Sequence, residues 1–313
     1  MTTLPSTNPA RGRRFDPSPD KIRYSRRWLG AAAVGGTIAA LAVAQRGLPA
    51  LATLGALGTV GASYALLHEP RMPRFEQIRV TVPNLPPELD GLRIGQLSDL
   101  HLGMRYTLAN TRWAVAQLAQ ARPDLLVLTG DVVSYEEAIP TIRDVLAGLP
   151  EAPLGRFAVP GNHDYWEGIP EIRHELDLLG FDLLINEHRS LGLGAARLVI
   201  AGADDLWEGT LDLEATFAGA PSGAFRLLLA HCPDVANLAP AYGVHLQLSG
   251  HTHGGHLSLP GLGACCLPRH GWDYPAGHVQ VGPTQVYVSR GLGGLPLRFG
   301  CPPEVTLLTL CRQ

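Results

Sequence analysis

Past a polar opening without apolar periodicity, the chain turns uncharged and apolar over residues 28–44 and again over 48–67. Only Gln45-Arg46-Gly47 separates the two stretches. Against the about 20 residues that cross a bilayer core, the first is slightly short and the second adequate. Both are rich in Gly and Ala, which suits close helix–helix contact. Pro70 and Pro73 then mark a linker over 68–78. Beyond it, apolar runs alternate with amphipathic stretches. Strands are expected at 92–98, 124–129, 157–160, 197–201, 225–230, 244–249, 285–289 and 305–310, and helices at 107–121, 136–149 and 170–179. Runs such as Leu125-Leu126-Val127-Leu128 read as strands buried on both faces, which indicates a layered α/β domain. The expected division is a disordered basic tail (1–27), membrane segments forming a helical hairpin (28–67), the linker (68–78) and a catalytic domain (79–313).

Charge changes this picture at the amino end. Ser25-Arg26-Arg27-Trp28-Leu29 resembles a twin-arginine export signal, with Ala42-Val43-Ala44 as a small-residue cleavage site. On that reading the domain is exported. On the other, both apolar stretches stay as a hairpin in the bacterial plasma membrane. Arg11, Arg13, Arg14, Lys21, Arg23, Arg26 and Arg27 then hold the tail in the cytoplasm, and Arg71 and Arg74 favour the same side for the domain. The formal net charge of −3 gives no support to a nucleic-acid partner bound through a basic surface. Cys232, Cys265, Cys266, Cys301 and Cys311 are odd in number and lack zinc-ribbon spacing, so they read as unpaired thiols.

The candidate chemistry lies in five short stretches taken in order: Ser98-Asp99-Leu100-His101, Gly130-Asp131, Gly161-Asn162-His163-Asp164, His231, and Gly250-His251-Thr252-His253. Each offers oxygen or nitrogen donors without a thiolate, and most directly follow an expected strand. Carboxylate, amide and imidazole groups converging from several strand ends are what a two-metal hydrolytic site requires. Any one fragment arises by chance; the ordered set does not.

This set resembles the calcineurin-like metallophosphoesterase superfamily over residues 92–310. The tail from Ser289-Arg290-Gly291-Leu292 to Pro303-Glu304 is similar to its membrane-associated bacterial branch. The resemblance implies an α/β/β/α sandwich preceded by transmembrane helices, and two divalent ions about 3.5–4 Å apart. Asp99, His101 and His253 would hold one ion and Asn162, His231 and His251 the other, with Asp131 bridging both. Mixed oxygen and nitrogen ligation suits Mn, Fe or Zn. His163 is implied to hydrogen-bond the phosphoryl group or protonate the leaving oxygen, with Asp164 orienting its ring. The activity implied is hydrolysis of a phosphodiester or pyrophosphate by a metal-bridged hydroxide. A phosphomonoesterase acting on nucleotide or phosphoprotein is the alternative, and a non-catalytic scaffold is disfavoured because all seven ligand positions are present.

Other residues near these motifs have simpler readings. His256 is a third candidate ligand beside the His251/His253 pair, set against a surface or substrate-facing role. Asp204 and Asp205 line the site or cap a loop. Cys232 reads as a buried small residue. Arg105 and Arg290 are phosphate contacts or ion pairs. The segment 259–283, with Trp272 and Tyr274, is expected to border the cleft. Its apolar character beside a membrane tether fits a lipid-linked phosphoester.

Overall fold

The computed structural model describes residues 22–313, so the expected disordered tail lies outside the described residues as far as residue 21. Its last part is ordered: Ile22–Tyr24 forms a short strand, β1. Helices α1 (Arg26–Arg46) and α2 (Leu48–Ser63) follow the two apolar stretches, and neither buries a residue against the rest of the chain. Gly47, at φ 61° and ψ −142°, makes the reversal between them in a conformation that L side chains avoid. The axis of α2 continues through a wide turn, Tyr64–His68, and a tight one, Glu69–Arg71. Arg26–Arg46 and Leu48–Arg71 are both long and apolar enough to cross a membrane.

The domain itself begins earlier than expected, because residues 74–78, read from the sequence as linker, are the first half of β2 (Arg74–Val82). Then come β3 (Arg93–Leu97), α3 (Thr107–Ala121), β4 (Leu125–Thr129), α4 (Thr141–Leu146), β5 (Arg156–Val159), α5 (Asn162–Glu167), α6 (Ile169–Leu178) and β6 (Phe181–Leu183). The second half holds β7 (Glu187–Leu193), β8 (Ala196–Gly202), α7 (Leu213–Phe217), β9 (Phe225–Leu229) and β10 (Leu246–Ser249). It closes with the short β11 (Ser258–Leu259), β12 (Gly263–Ala264) and β13 (Cys266–Pro268), then β14 (Gly277–Val281), β15 (Thr284–Val288) and β16 (Glu304–Arg312). The single helix expected over 136–149 is instead a turn at Glu136–Ala138 and the short α4, broken around Pro140, which cannot donate to the helix ladder.

Two six-stranded sheets result, in the orders β2-β16-β3-β4-β5-β6 and β14-β15-β10-β9-β8-β7. Strands β3 to β6 are parallel to one another, as are β8, β9, β10 and β15. Ile94, Val127 and Val159 of the first sheet pack against Ile200, Leu227 and Leu248 of the second. On the outer face of the first sheet lie Leu118, Ile142 and Leu176 from α3, α4 and α6; α7 covers the second. The layers are therefore α/β/β/α, as the resemblance implied. Burial on both faces explains why β4 is apolar from Leu125 to Leu128.

Candidate metal centre

Every expected ligand sits just past the carboxyl end of a parallel strand. Asp99 and His101 follow β3, Asp131 follows β4, Asn162 opens α5 after β5, His231 follows β9, and His251 and His253 follow β10. The two sheets aim these loops at one point. Three tight groups form there among the described residues: Asp99, His101 and His253; Asp131, His231 and His251; and His101, Asp131 and His163, the donor atoms within each lying no more than 4.8 Å apart. Asp99, His101, Asp131, His251 and His253 all hold positive φ, between 46° and 74°. Strained backbone of this kind persists only where the surroundings over-determine it. Two motif glycines allow the close approach: a Cβ at Gly161 would overlap the Asp131 carboxylate, and one at Gly250 would overlap Ser98 and Asp99.

The hydrogen bonds fix how each ring faces inward. His231 Nδ1 donates to the Thr129 carbonyl at 2.8 Å, and His251 Nε2 to the Arg269 carbonyl at 2.7 Å. Since a carbonyl only accepts, both rings carry their proton on the outer nitrogen. Their inner nitrogens, His231 Nε2 and His251 Nδ1, then face each other at 3.1 Å, with Asp131 Oδ2 3.3 Å from the former. His101 Nε2 lies 3.3 Å from the same carboxylate oxygen, while its Nδ1 meets Ser134 Oγ at 2.7 Å. Asp99 accepts from the His251 backbone N–H at 2.9 Å and from Ser98 Oγ at 2.5 Å.

Ligand atoms thus converge on one point. Asn162 Oδ1 and His101 Nε2 are buried and have no hydrogen-bond partner among the described residues. Burial, with the Asp131 charge behind it, pushes Asp99 up to about 6. Burial is also the main cause holding His101 and His253 well below the usual histidine range. His231 moves the other way: against the cost of burial, the Asp131 carboxylate raises it well above its ordinary value. The oxygen and imidazole donors of the pocket, with no thiolate, fit divalent transition-metal ions.

Asp164 does not orient the His163 ring. Its carboxylate is taken up by backbone N–H groups of Asp131 (2.9 Å), Val132 (2.8 Å) and Gly161 (2.9 Å), because α5 turns it toward the loop after β4. Asp164→Asn replaces one accepting oxygen by a donor, leaving a buried N–H unpaired. The expected cost is about 1–3 kcal/mol, read as a lower denaturation midpoint in detergent. His256 sends Nδ1 toward the Leu297 carbonyl at 3.2 Å and stacks on His253 at 4.9 Å. Asp204 and Asp205 cap their own loop through the N–H groups of Thr210, Trp207 and Glu208. Cys232 is buried, its thiol on Asp205. Arg290 is engaged by Glu76 and Glu304, and Arg105 lies over Tyr106.

Three residues escaped the sequence reading. Trp166 lies 4.5 Å from the His163 ring, Trp207 lies 5.7 Å from His251, and the two indoles meet edge to face, walling one side of the site. Arg298, 1% exposed, donates to the carbonyls of His253 (3.0 Å) and Gly293 (2.6 Å) and lies 3.2 Å from His253 Nδ1. Isolated Trp and Arg positions carry no spacing signal that would have marked them.

Residues 92–255 match the family described as calcineurin-like phosphoesterase. The chain is 36% identical to the metallophosphoesterase YkuE of Bacillus subtilis, over 80% of this chain and 90% of that one. It is 34% identical to the phosphodiesterase YaeI of Escherichia coli, over 75% and 88% of the two chains. It is also 32% identical to a bovine transmembrane protein with a metallophosphoesterase domain, over 90% of this chain and 66% of that longer one.

Proposed function

The chain belongs to the calcineurin-like phosphoesterase family and is a metal-dependent phosphoester hydrolase, and from that premise we propose a membrane-anchored, two-metal enzyme that cleaves a phosphodiester or pyrophosphate on a lipid or cell-envelope substrate. The observation that carries the two-metal reading is the meeting of inward lone pairs from His231, His251 and Asp131, beside a second group of Asp99, His101 and His253. Asp99, His101 and His253 would hold one ion, and Asn162, His231 and His251 the other. Asp131, which shares a group with His231 and His251 and lies 3.3 Å from His101 Nε2 of the other, would bridge them. Mn, Fe or Zn suits these donors. When bound, such a pair offsets phosphoryl charge and makes a water nucleophile available near neutral pH.

The protein's own groups set the geometry. The carbonyls of Thr129 and Arg269 lock the tautomers of His231 and His251, so that each ring presents a lone pair inward. Asp164 ties the loops after β4 and β5 together and so holds Asp131 beside Asn162. His163 stands at the edge of the site with its Nδ1 unpartnered among the described residues, suited to donate a hydrogen bond to a phosphoryl or leaving-group oxygen. A relative named as a phosphodiesterase supports the diester. Anchoring and a lipid substrate are supported by the side chains on α1 and α2, among them Ile38 (62% exposed), Leu48 (78%) and Val60 (67%), whose apolar surface water disfavours.

Full-length protein purified in detergent should contain two transition-metal ions per chain by elemental analysis. It should hydrolyse an aryl phosphodiester, with chelation abolishing turnover and added metal restoring it. Phosphodiester lipids in mixed micelles should be cleaved faster than soluble nucleotide diesters. Metal-free protein whose activity ignores the chelator would overturn the two-metal reading; equal rates on both substrates would overturn the lipid one.

A further inference from the structure

The two ends of the helical hairpin are seated on the two loops that support the metal-centre histidines. At the incoming end, β1 pairs antiparallel with β13, placing Tyr24 opposite Cys266. The contact continues into α1: the Ser25 N–H donates to the Cys265 carbonyl at 2.7 Å and Trp28 Nε1 to the Gly263 carbonyl at 2.9 Å. At the outgoing end, the Arg298 N–H donates to the Ala65 carbonyl at 2.9 Å. The Tyr64 ring meets Phe299 edge-on at 5.7 Å. Glu69, 4% exposed, accepts from the N–H groups of Gly300 (3.1 Å) and Cys301 (2.8 Å).

These loops reach the site directly. Strand β13 runs into Arg269, whose carbonyl fixes the His251 tautomer, and Arg298 holds the His253 carbonyl. They are also stitched to each other, Ser258 N–H to the Phe299 carbonyl at 2.7 Å and Phe299 N–H to the His256 carbonyl at 2.9 Å. Helix α1, with 21 residues at about 1.5 Å each, spans roughly the 30 Å of a bilayer core. A chain that crosses by α1, reverses at Gly47 and returns by α2 brings both ends to one face. Only then can Ser25 and Trp28 touch loops of the catalytic domain.

We propose that the hairpin is a retained, working part of the enzyme: residues 22–28 complete the 257–269 loop, with residues 22–24 as an added strand. The basic tail and the catalytic domain then share the cytoplasmic face, and the site is held at the surface of that leaflet. This rests on the membrane-anchored reading above and goes beyond it, because a tether alone requires neither the strand pairing nor the shared side. It also separates the two readings of Arg26 and Arg27. Cleavage near Ala44 would remove β1, the strand partner of β13 among the described residues, whereas in the hairpin Arg23, Arg26, Arg27, Arg71 and Arg74 all gather at the cytoplasmic interface.

The test uses the full-length chain in bacterial membranes, with Tyr24→Cys introduced and Cys265→Ser removing the neighbouring thiol. Directly opposed residues of an antiparallel pair have Cβ atoms about 4.5–5.5 Å apart, near enough for a short thiol cross-linker. The expected result is an intramolecular link from position 24 to Cys266, lost when Cys266→Ser is added. A separate Gln313→Cys variant should react with an impermeant thiol reagent in inside-out vesicles and not in intact cells. Deletion of residues 1–24, which keeps both helices, should lower kcat about tenfold with KM nearly unchanged, in line with loss of a support behind a metal ligand. Absence of the cross-link, labelling from outside the cell, or unchanged kcat on deletion would each overturn the proposal. Carbonate extraction reads the anchor by itself: release into the soluble fraction would sink the membrane reading, whatever the cross-link shows.

Discussion

Asp131→Asn is expected to strip the centre of both ions and to lower turnover by about 10³-fold or more, the largest effect of any single ligand change. Asp131 is 2% exposed and stands where the two ligand groups meet. Its Oδ2 lies 3.3 Å from both His101 Nε2 and His231 Nε2, and its Oδ1 accepts from the His163 backbone N–H at 2.9 Å. Burial works against its charge, yet the neighbouring imidazoles, His231 foremost, hold its carboxyl well below the usual carboxylate range. Asn keeps the shape, removes that charge and can turn an NH2 group, which does not ligate a cation, toward the point where His101 Nε2 and His231 Nε2 converge. An ion in such a site stabilises transition-state charge by several kcal/mol, and about 1.4 kcal/mol is tenfold in rate. Asp99→Asn, whose carboxylate is a ligand candidate only in the group with His101 and His253, should spare more of the second ion. Elemental analysis beside turnover of an aryl phosphodiester checks both; retention of two ions by Asp131→Asn would remove it as the bridge.

What the sequence revealed follows from how local each signal is. The apolar spacing of α3 marked its ends at residues 107 and 121 because its buried positions, among them Thr111, Ala114 and Leu118, recur at helical intervals. Buried central strands such as β4 and β9 were visible as apolar runs. Strands β7 and β14, at the sheet edge, are only partly buried and carry no such run, so they passed unnoticed. The motifs of the candidate metal centre could be read because each is short and carries its chemistry in residue type. The direction of a side chain is not local in this way: nothing in Gly161-Asn162-His163-Asp164 tells that the Asp164 carboxylate turns to the backbone of Asp131 and Val132. Pairing between Tyr24 and Cys266, or the burial of Arg298 behind His253, depends on segments far apart in the chain. A pattern along one segment cannot encode either.

His163→Ala is expected to keep both ions and lower kcat by about 10²–10⁴-fold, the range typical of a group that moves or shares a proton in the transition state. The backbone supports this separation of roles. The bond that ties residue 163 to the site is its own N–H to Asp131 Oδ1, which alanine retains. The ring packs between His101, at 4.6 Å and edge-on, and Trp166, while its Nδ1 is without a partner among the described residues. Burial lowers its pKa, which favours a neutral imidazole that would donate a hydrogen bond to the phosphoryl or leaving-group oxygen. Loss of that donor should weaken transition-state binding more than ground-state binding, so kcat should fall while KM moves little. His163→Gln, which can still donate, should recover part of the loss. The contrary outcome is equally definite. His163 shares a tight group with His101 and Asp131, and a ligand there would release metal when replaced by alanine. Metal content measured on the same preparation as kcat therefore decides whether His163 acts on the substrate or on an ion.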